Sequence, residues 1–169
     1  QYEETLVVRV HPEYLKGQRL PDRPDTFWED RFESIRDQEK HLARNGTIIL
    51  KFWLNVSREE QMRRFARRLE RPEKNWKFSA GDLTESEHWD AYMKAYEDVL
   101  NKTSTPWAPW YAIPADNKPY MRLAVARTIN HALEKLDLNY PKLDVEEQER
   151  IPGYQERIAS TLKGLSEPG

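Results

Sequence analysis

The sequence predicts an α/β fold built on a parallel sheet, and three observations carry that reading. Thr47 to Ser57 (TIILKFWLNVS) is β-branched, aromatic and nearly continuously apolar, as expected of a strand buried on both faces. A second short run, Trp110 to Asp116 (WYAIPAD), has the same character. Segments of helical periodicity stand before, between and after the two, so helices and strands alternate. Only two or three strands are legible, and so small a sheet leaves edges exposed. With a start at Gln1 rather than Met, this points to a further amino-terminal portion beyond these residues.

Taken in order, Tyr2 to Tyr14 contains the apolar cluster Leu6, Val7, Val8 and Val10, which periodicity leaves open between buried helix and strand. Gly17 to Pro24 is rich in turn residues and reads as a loop. Asp25 or Thr26 caps a helix running to about Arg44, with Phe27, Trp28, Phe32, Ile35 and Leu42 inward, and Asn45–Gly46 ends it. After the first strand, Ser57 and Glu60 form a capping box. The helix they open carries an apolar stripe of Met62, Phe65 and Leu69, and Pro72 stops it. Pro72 to Leu83 is a compact basic loop. A helix from about Thr84 or Ser86 to Asn101 follows, with Trp89, Tyr92, Met93, Tyr96 and Leu100 inward. Lys118 to Leu138 is an amphipathic helix whose core residues are Leu123, Val125, Ile129, Leu133 and Leu136. Residues 1–138 form one unit, with about 57–90 as its helical lid. Residues 139–169 form a charged tail with one short helix, over Val145 to Arg150 or Tyr154 to Leu165.

Composition excludes several classes. Hydrophobic residues make up 38% and charged residues 33% of the chain, and no apolar run approaches the roughly 20 residues of a membrane span. With no cysteine, disulfides, thiolate zinc sites and cysteine nucleophiles are excluded. No signal-peptide pattern opens the chain, so a cytoplasmic origin is expected. The net charge of −2 means that any anion site rests on local clustering.

That clustering is present. Between Ser57 and Lys77 stand eight cations and four acids. Arg64, Arg68 and Arg71, at i, i+4 and i+7, share one helical face. Guanidinium groups grip phosphate oxygens in pairs and offset charge developing on a transferred phosphoryl group. The plainer alternative is a solvated helix laced with salt bridges; Lys74, Trp76 and Lys77, directly after it, weigh against that. Asp116, Asn117 and Lys118 follow the second strand, at the sheet edge where open α/β folds bind ligands, and would equally serve as a turn and helix cap. Arg9, inside an apolar run, is a buried ion-pair partner or an anion contact. His11, His41, His88 and His131 show no metal-ligand spacing, so no metal site is expected among these residues. No stretch matches G-x-x-x-x-G-K-[ST].

Two long strings, NGTIILKFWLNVSREEQMRRFARRLERPEKNWKFSAGDL and TSTPWAPWYAIPADNKPYMRLAV, strongly resemble the polyphosphate kinase 2 family. The opening YEETLVVRVHPE is similar to the stretch just after that family's Walker B motif, so the resemblance covers about Gln1 to Leu136. Val10 to Glu13 (VHPE) is similar to the branch acting on both nucleoside mono- and diphosphates. The resemblance implies a P-loop NTPase-like three-layer fold with a helical lid, present here only as its C-terminal part. It also implies phosphoryl transfer between inorganic polyphosphate and nucleoside mono- or diphosphates with Mg2+, in a homo-oligomer, with no nucleic-acid or membrane partner. Carried over by motif, Arg64 and Arg68 (R-F-x-x-R) are the catalytic pair, and Lys74 and Lys77 (K-x-W-K) bind phosphate together with Arg9. Gln61, Phe65, Pro72 and Trp76 shape the lid. Asp116 and Lys118 (P-A-D-x-K) serve the nucleotide or the structure.

The Walker A loop and most of Walker B, which supply the Mg2+ ligands, have no counterpart in this sequence. The chain alone is therefore expected to be inactive or nearly so. A non-catalytic polyphosphate- or nucleotide-binding fragment is the alternative reading. An RNA-binding module on the basic helix is a weaker one, because it leaves the order of the motifs unexplained.

Overall fold

A computed structural model describes residues 2–16 and 26–166. The expected Gly17–Pro24 loop and the Asp25 cap lie outside the described residues. Within them lie one two-stranded parallel sheet and seven α-helices.

The opening apolar cluster forms a helix, α1 (Tyr2–Val10), followed by a 3-10 turn over Pro12–Leu15. Thr5 and Val8, one turn apart, are its buried positions, and the Thr5 hydroxyl donates back to the Tyr2 carbonyl at 2.9 Å. Helix α2 (Phe27–Arg44) buries Phe27, Phe32 and Ile35 as their spacing predicts. Its last inward position departs from expectation: Leu42 is 40% exposed and Glu39 is buried instead. A buried partner draws Glu39 in, as described below. Gly46, at φ 86°, reverses the chain after α2 in a conformation that glycine adopts without cost.

Strand β1 (Lys51–Asn55) is shorter than the apolar run that encodes it. It pairs in parallel with β2 (Trp110–Pro114), Lys51 opposite Trp110 and Asn55 opposite Pro114. The expectation of burial on both faces fails along most of β1: Lys51 is buried, while Leu54 is 44% exposed and Ile48, just before it, 48%. With only two strands among the described residues, each has one unpaired edge and half-covered faces.

The crossover between the strands carries three helices. Ser57 caps α3 (Arg58–Leu69), its hydroxyl accepting from the Glu60 amide at 3.2 Å. The capping box is one-sided, because the Glu60 carboxylate turns to arginines instead of back to Ser57. Pro72–Lys77, expected as loop, winds into a 3-10 helix. The single helix expected after it is two, α4 (Ala80–Glu87) and α5 (Trp89–Thr103), with the break at His88. The core lies where α5 meets α1 and α2. There α5 buries Ala95, Val99 and Thr103, rather than the aromatic stripe that sequence places inward.

Helix α6 (Lys118–Glu134) buries no residue: Leu123, Ile129 and Leu133 are 49%, 38% and 48% exposed, against the core role expected of them. The two-stranded sheet offers them no second layer among the described residues. The tail also differs, since α7 (Val145–Ser166) is one continuous 22-residue helix with Pro152 inside it. The chain divides into two compact units, Gln1–Ala132 and Leu133–Gly169.

Candidate functional site

Both strands end, at their carboxyl termini, beside the amino end of α3. The two ends are tied by an unusual cap: the Ser57 amide donates to the Asp116 carboxylate at 2.7 Å. That bond holds the Asp116 carboxyl below its usual range. The Ala115 amide donates to the Asn55 carbonyl at 2.8 Å, closing the same seam. Asp116 therefore positions the helix that carries the arginines. Lys118, two residues on, is exposed as the first residue of α6.

Arg64 completes the seam. Its Nε donates to Glu60 at 3.0 Å, and its Nη2 donates to the carbonyls of Ala115 at 2.6 Å and Asp116 at 3.3 Å. Glu60 also accepts from Arg67 at 2.6 Å, and the two guanidinium groups, Arg64 first, hold its carboxyl below the ordinary value.

Arg68, one turn further, faces a different space. A cleft of about 660 Å³ opens between β1 and the α3–α5 crossover. Its walls include Leu54–Val56 at the end of β1, Gln61, Phe65 and Arg68 of α3, Asp82 and Glu85 of α4, and Trp89, Tyr92 and Tyr96 of α5. The aromatic stripe predicted inward on α5 thus lines this cleft. Arg68 packs over the Phe65 ring at 5.5 Å, and its hydrogen bonds among the described residues are long, 3.3 Å to Asp82 and 3.4 Å to the Lys77 carbonyl. Bonds of that length are weak, so its guanidinium is poorly satisfied and available to a stronger acceptor.

The other sequence-derived candidates stand apart from the cleft. Lys77, exposed, lies over the Trp76 ring at 5.0 Å, and Trp76 is itself 78% exposed. Lys74 is half-buried, and neither lysine lines the cleft. Arg9 pairs with Asp98 at 2.6 Å and lies over Trp28 at 5.4 Å and Phe32 at 5.9 Å. Of the two roles open to it, the structure displays the ion pair.

Three groups of the site were not singled out from sequence. Asp82 and Glu85 enter the cleft from the stretch where sequence places the end of the basic loop and the start of the next helix. Glu85 accepts from the Tyr92 hydroxyl at 2.7 Å, a bond that lowers its carboxyl pKa, while burial and Glu85 raise the Tyr92 pKa. Beneath β1, Lys51 donates to Glu39 at 2.7 Å, to the Thr103 carbonyl at 2.8 Å and to the Tyr2 hydroxyl at 2.9 Å. Burial lowers the Lys51 pKa despite Glu39, and the Tyr2 pKa is raised by burial and then by its own bond to Glu39. The signal for this network was a lysine inside an apolar strand.

Among the described residues no group of three or more His, Asp or Glu side chains could hold a metal ion.

The polyphosphate kinase 2 (PPK2) family model matches residues 1–141. The chain belongs to this family. The relatives include an ADP-polyphosphate phosphotransferase of Rhodopseudomonas palustris, 49% identical over 144 residues, covering 83% of this chain and 50% of that protein. An AMP/ADP-polyphosphate phosphotransferase of Meiothermus ruber is 43% identical over 141 residues, covering 83% and 49%. Among solved structures, that of polyphosphate kinase 2 from Arthrobacter aurescens superposes with a TM-score of 0.78 at 40% identity, covering 90% of this chain and 52% of that one. This PPK2 chain thus spans about half the length of the curated relatives it matches.

Proposed function

We propose that this PPK2 chain is the lid-bearing part of a polyphosphate-dependent nucleotide phosphotransferase with a P-loop, three-layer fold. The transfer runs between inorganic polyphosphate and nucleoside mono- or diphosphates. The observation carrying the proposal is Arg68: a guanidinium whose bonds among the described residues are long, facing a cleft at the carboxyl end of a parallel strand. Carboxyl ends of parallel strands are where open α/β sheets bind ligands. A phosphate oxygen there would replace the bonds to Asp82 and Lys77 with shorter, charge-assisted ones. As negative charge shifts during transfer, a fixed cation at that place lowers the barrier without reorganising.

Arg64 serves the same reaction in a different way. It holds the strand ends against α3 and so fixes where Arg68 points. Lys74 and Lys77 extend the positive surface along which a polyphosphate chain would lie, and Arg9 supports the core from which the lid projects. Asp116 is a positioning residue, and Lys118 offers a further cation at the same edge. The complete protein assembles as a homo-oligomer.

The names of the relatives, the order of the shared motifs and the cleft geometry all support this reading. These 169 residues contain no G-x-x-x-x-G-K-[ST] loop to cradle phosphates, so the chain by itself transfers little or no phosphoryl group. The test is ATP formation from ADP and polyphosphate with Mg2+. Turnover is expected when the chain is joined to the amino-terminal half of a relative, and loss of more than about tenfold in the Arg68→Ala form of that protein. Unchanged turnover in that variant would remove Arg68 from the site.

A further inference from the structure

His11 stands just after α1, 12% exposed, and each of its ring nitrogens faces a different carboxylate. Nδ1 lies 3.1 Å from Glu13 and Nε2 lies 3.0 Å from Glu85. The first contact is within the 3-10 turn, and the second spans the molecule to α4. A neutral imidazole has one N–H and one lone pair, so it can donate to only one of these acceptors and must turn its lone pair against the other. Only the imidazolium satisfies both.

The remaining neighbours fit a cation. The Tyr14 ring stacks on His11 at 5.4 Å, Tyr92 of α5 lies at 6.4 Å, and the His88 ring meets it edge-on at 5.0 Å. Lys16 acts on Glu13, and the Tyr92 hydroxyl already donates to the same Glu85 oxygen. Among the described residues two carboxylates and no cation are in direct contact with the ring, which favours its charged form; His88, and Lys16 beyond Glu13, would oppose it.

Helix α4 depends on such contacts. Eight residues long, it buries Ser86 alone, so little apolar packing holds it. Its side-chain ties to other elements are Arg68–Asp82, long at 3.3 Å, Glu85–Tyr92 and Glu85–His11.

We propose that His11 is a pH-operated latch: its charged ring fixes α4, a wall of the cleft, to the amino-terminal segment, and loss of its proton releases that wall. Because Glu85 and Glu13 raise the folded-state pKa of His11 above 6.5, the latch is fully set below the ordinary imidazole range. It is lost as pH rises through the folded-state value. The Arg68 tie is the one a phosphate would take over, so at low pH two ties still hold the wall when Arg68 changes partner, and at high pH the Glu85–Tyr92 bond is left to hold it. The latch itself does not rest on the phosphotransfer reading.

Amide hydrogen exchange of the 169-residue chain tests it, with rates normalised for intrinsic pH dependence and His11 followed by NMR titration. Protection across Glu85–His88 is expected to fall several-fold as pH passes through the His11 transition, and His11→Gln should abolish that step. Uniform protection through the transition overturns the proposal, and so does a step that persists in His11→Gln, which would assign it to His88. Should His11→Gln fail to fold, Glu13→Gln serves. It should lower the His11 transition toward 6.5 and carry the exchange step with it; a step that stays in place overturns the latch.

Discussion

Arg64 and Arg68 lie one turn apart on the same face of α3, and their surroundings give them different work. The Arg64 bond to the Ala115 carbonyl is short and 22% of its side chain is exposed, so Arg64→Ala should cost about 1.5–3 kcal/mol of stability. Arg68→Ala should leave the urea midpoint nearly unchanged and remove affinity for polyphosphate. Urea melts and a binding titration on both variants separate the two roles. The buried pair is a stronger case. Glu39→Ala leaves the Lys51 ammonium without its carboxylate at a site where both side chains are at most 10% exposed, and should cost about 3–5 kcal/mol. Removing Glu59, whose bridge to Arg63 is 63–74% exposed, should cost less than about 0.5 kcal/mol. The motif R-F-x-x-R identifies Arg64 and Arg68 but is silent on which one spans to a strand end, because that depends on Ala115, 51 residues away. The Lys51 network is harder still to read, since Tyr2, Glu39 and Thr103 meet only after α1, α2 and α5 have packed.

Helix α3 begins where two strand ends converge, and its cap draws on both. Ser57→Ala removes the hydroxyl that accepts from the Glu60 amide and should cost about 1 kcal/mol. The Asp116 bond makes part of this start pH-dependent. Its pKa lies below the ordinary 3.8, so the stabilisation is complete above that value and lost as pH falls through the folded-state one. Asp116→Asn should flatten the acid limb of the stability profile below about pH 4, measured by urea melts at stepped pH. Local signals served well here: Ser57, Pro72 and Gly46 mark real boundaries, because caps and breakers act over a few residues. Periodicity did less well. On α5 the small residues Ala95, Val99 and Thr103 take the core because α1 packs close, and the large aromatics are left to wall the cleft. On α2 a carboxylate replaced Leu42 for the sake of one lysine.

Across the whole molecule, the division into Gln1–Ala132 and Leu133–Gly169 carries its own prediction. Among the described residues the buried side chains belong to the first unit. A chain ending after Ala132 should therefore unfold within a few degrees of the full chain in a thermal melt; a large drop would show that α7 supports the core. The α/β class, a parallel sheet and the position of the basic helix could be read from sequence, because apolar runs separated by a long helical crossover admit little else. The extent of burial could not. Whether Leu54 or Leu123 is covered depends on how many layers surround the sheet, and no single run encodes that.

The pairing of β1 with β2 leaves each strand with one edge that no other described strand pairs with. Such an edge is a template, and a second molecule can dock on it as readily as a missing partner strand. Concentrating the purified chain should thus bring on turbidity at levels a fully enclosed sheet would tolerate. A short peptide of alternating apolar residues, added in excess, should hold the solution clear.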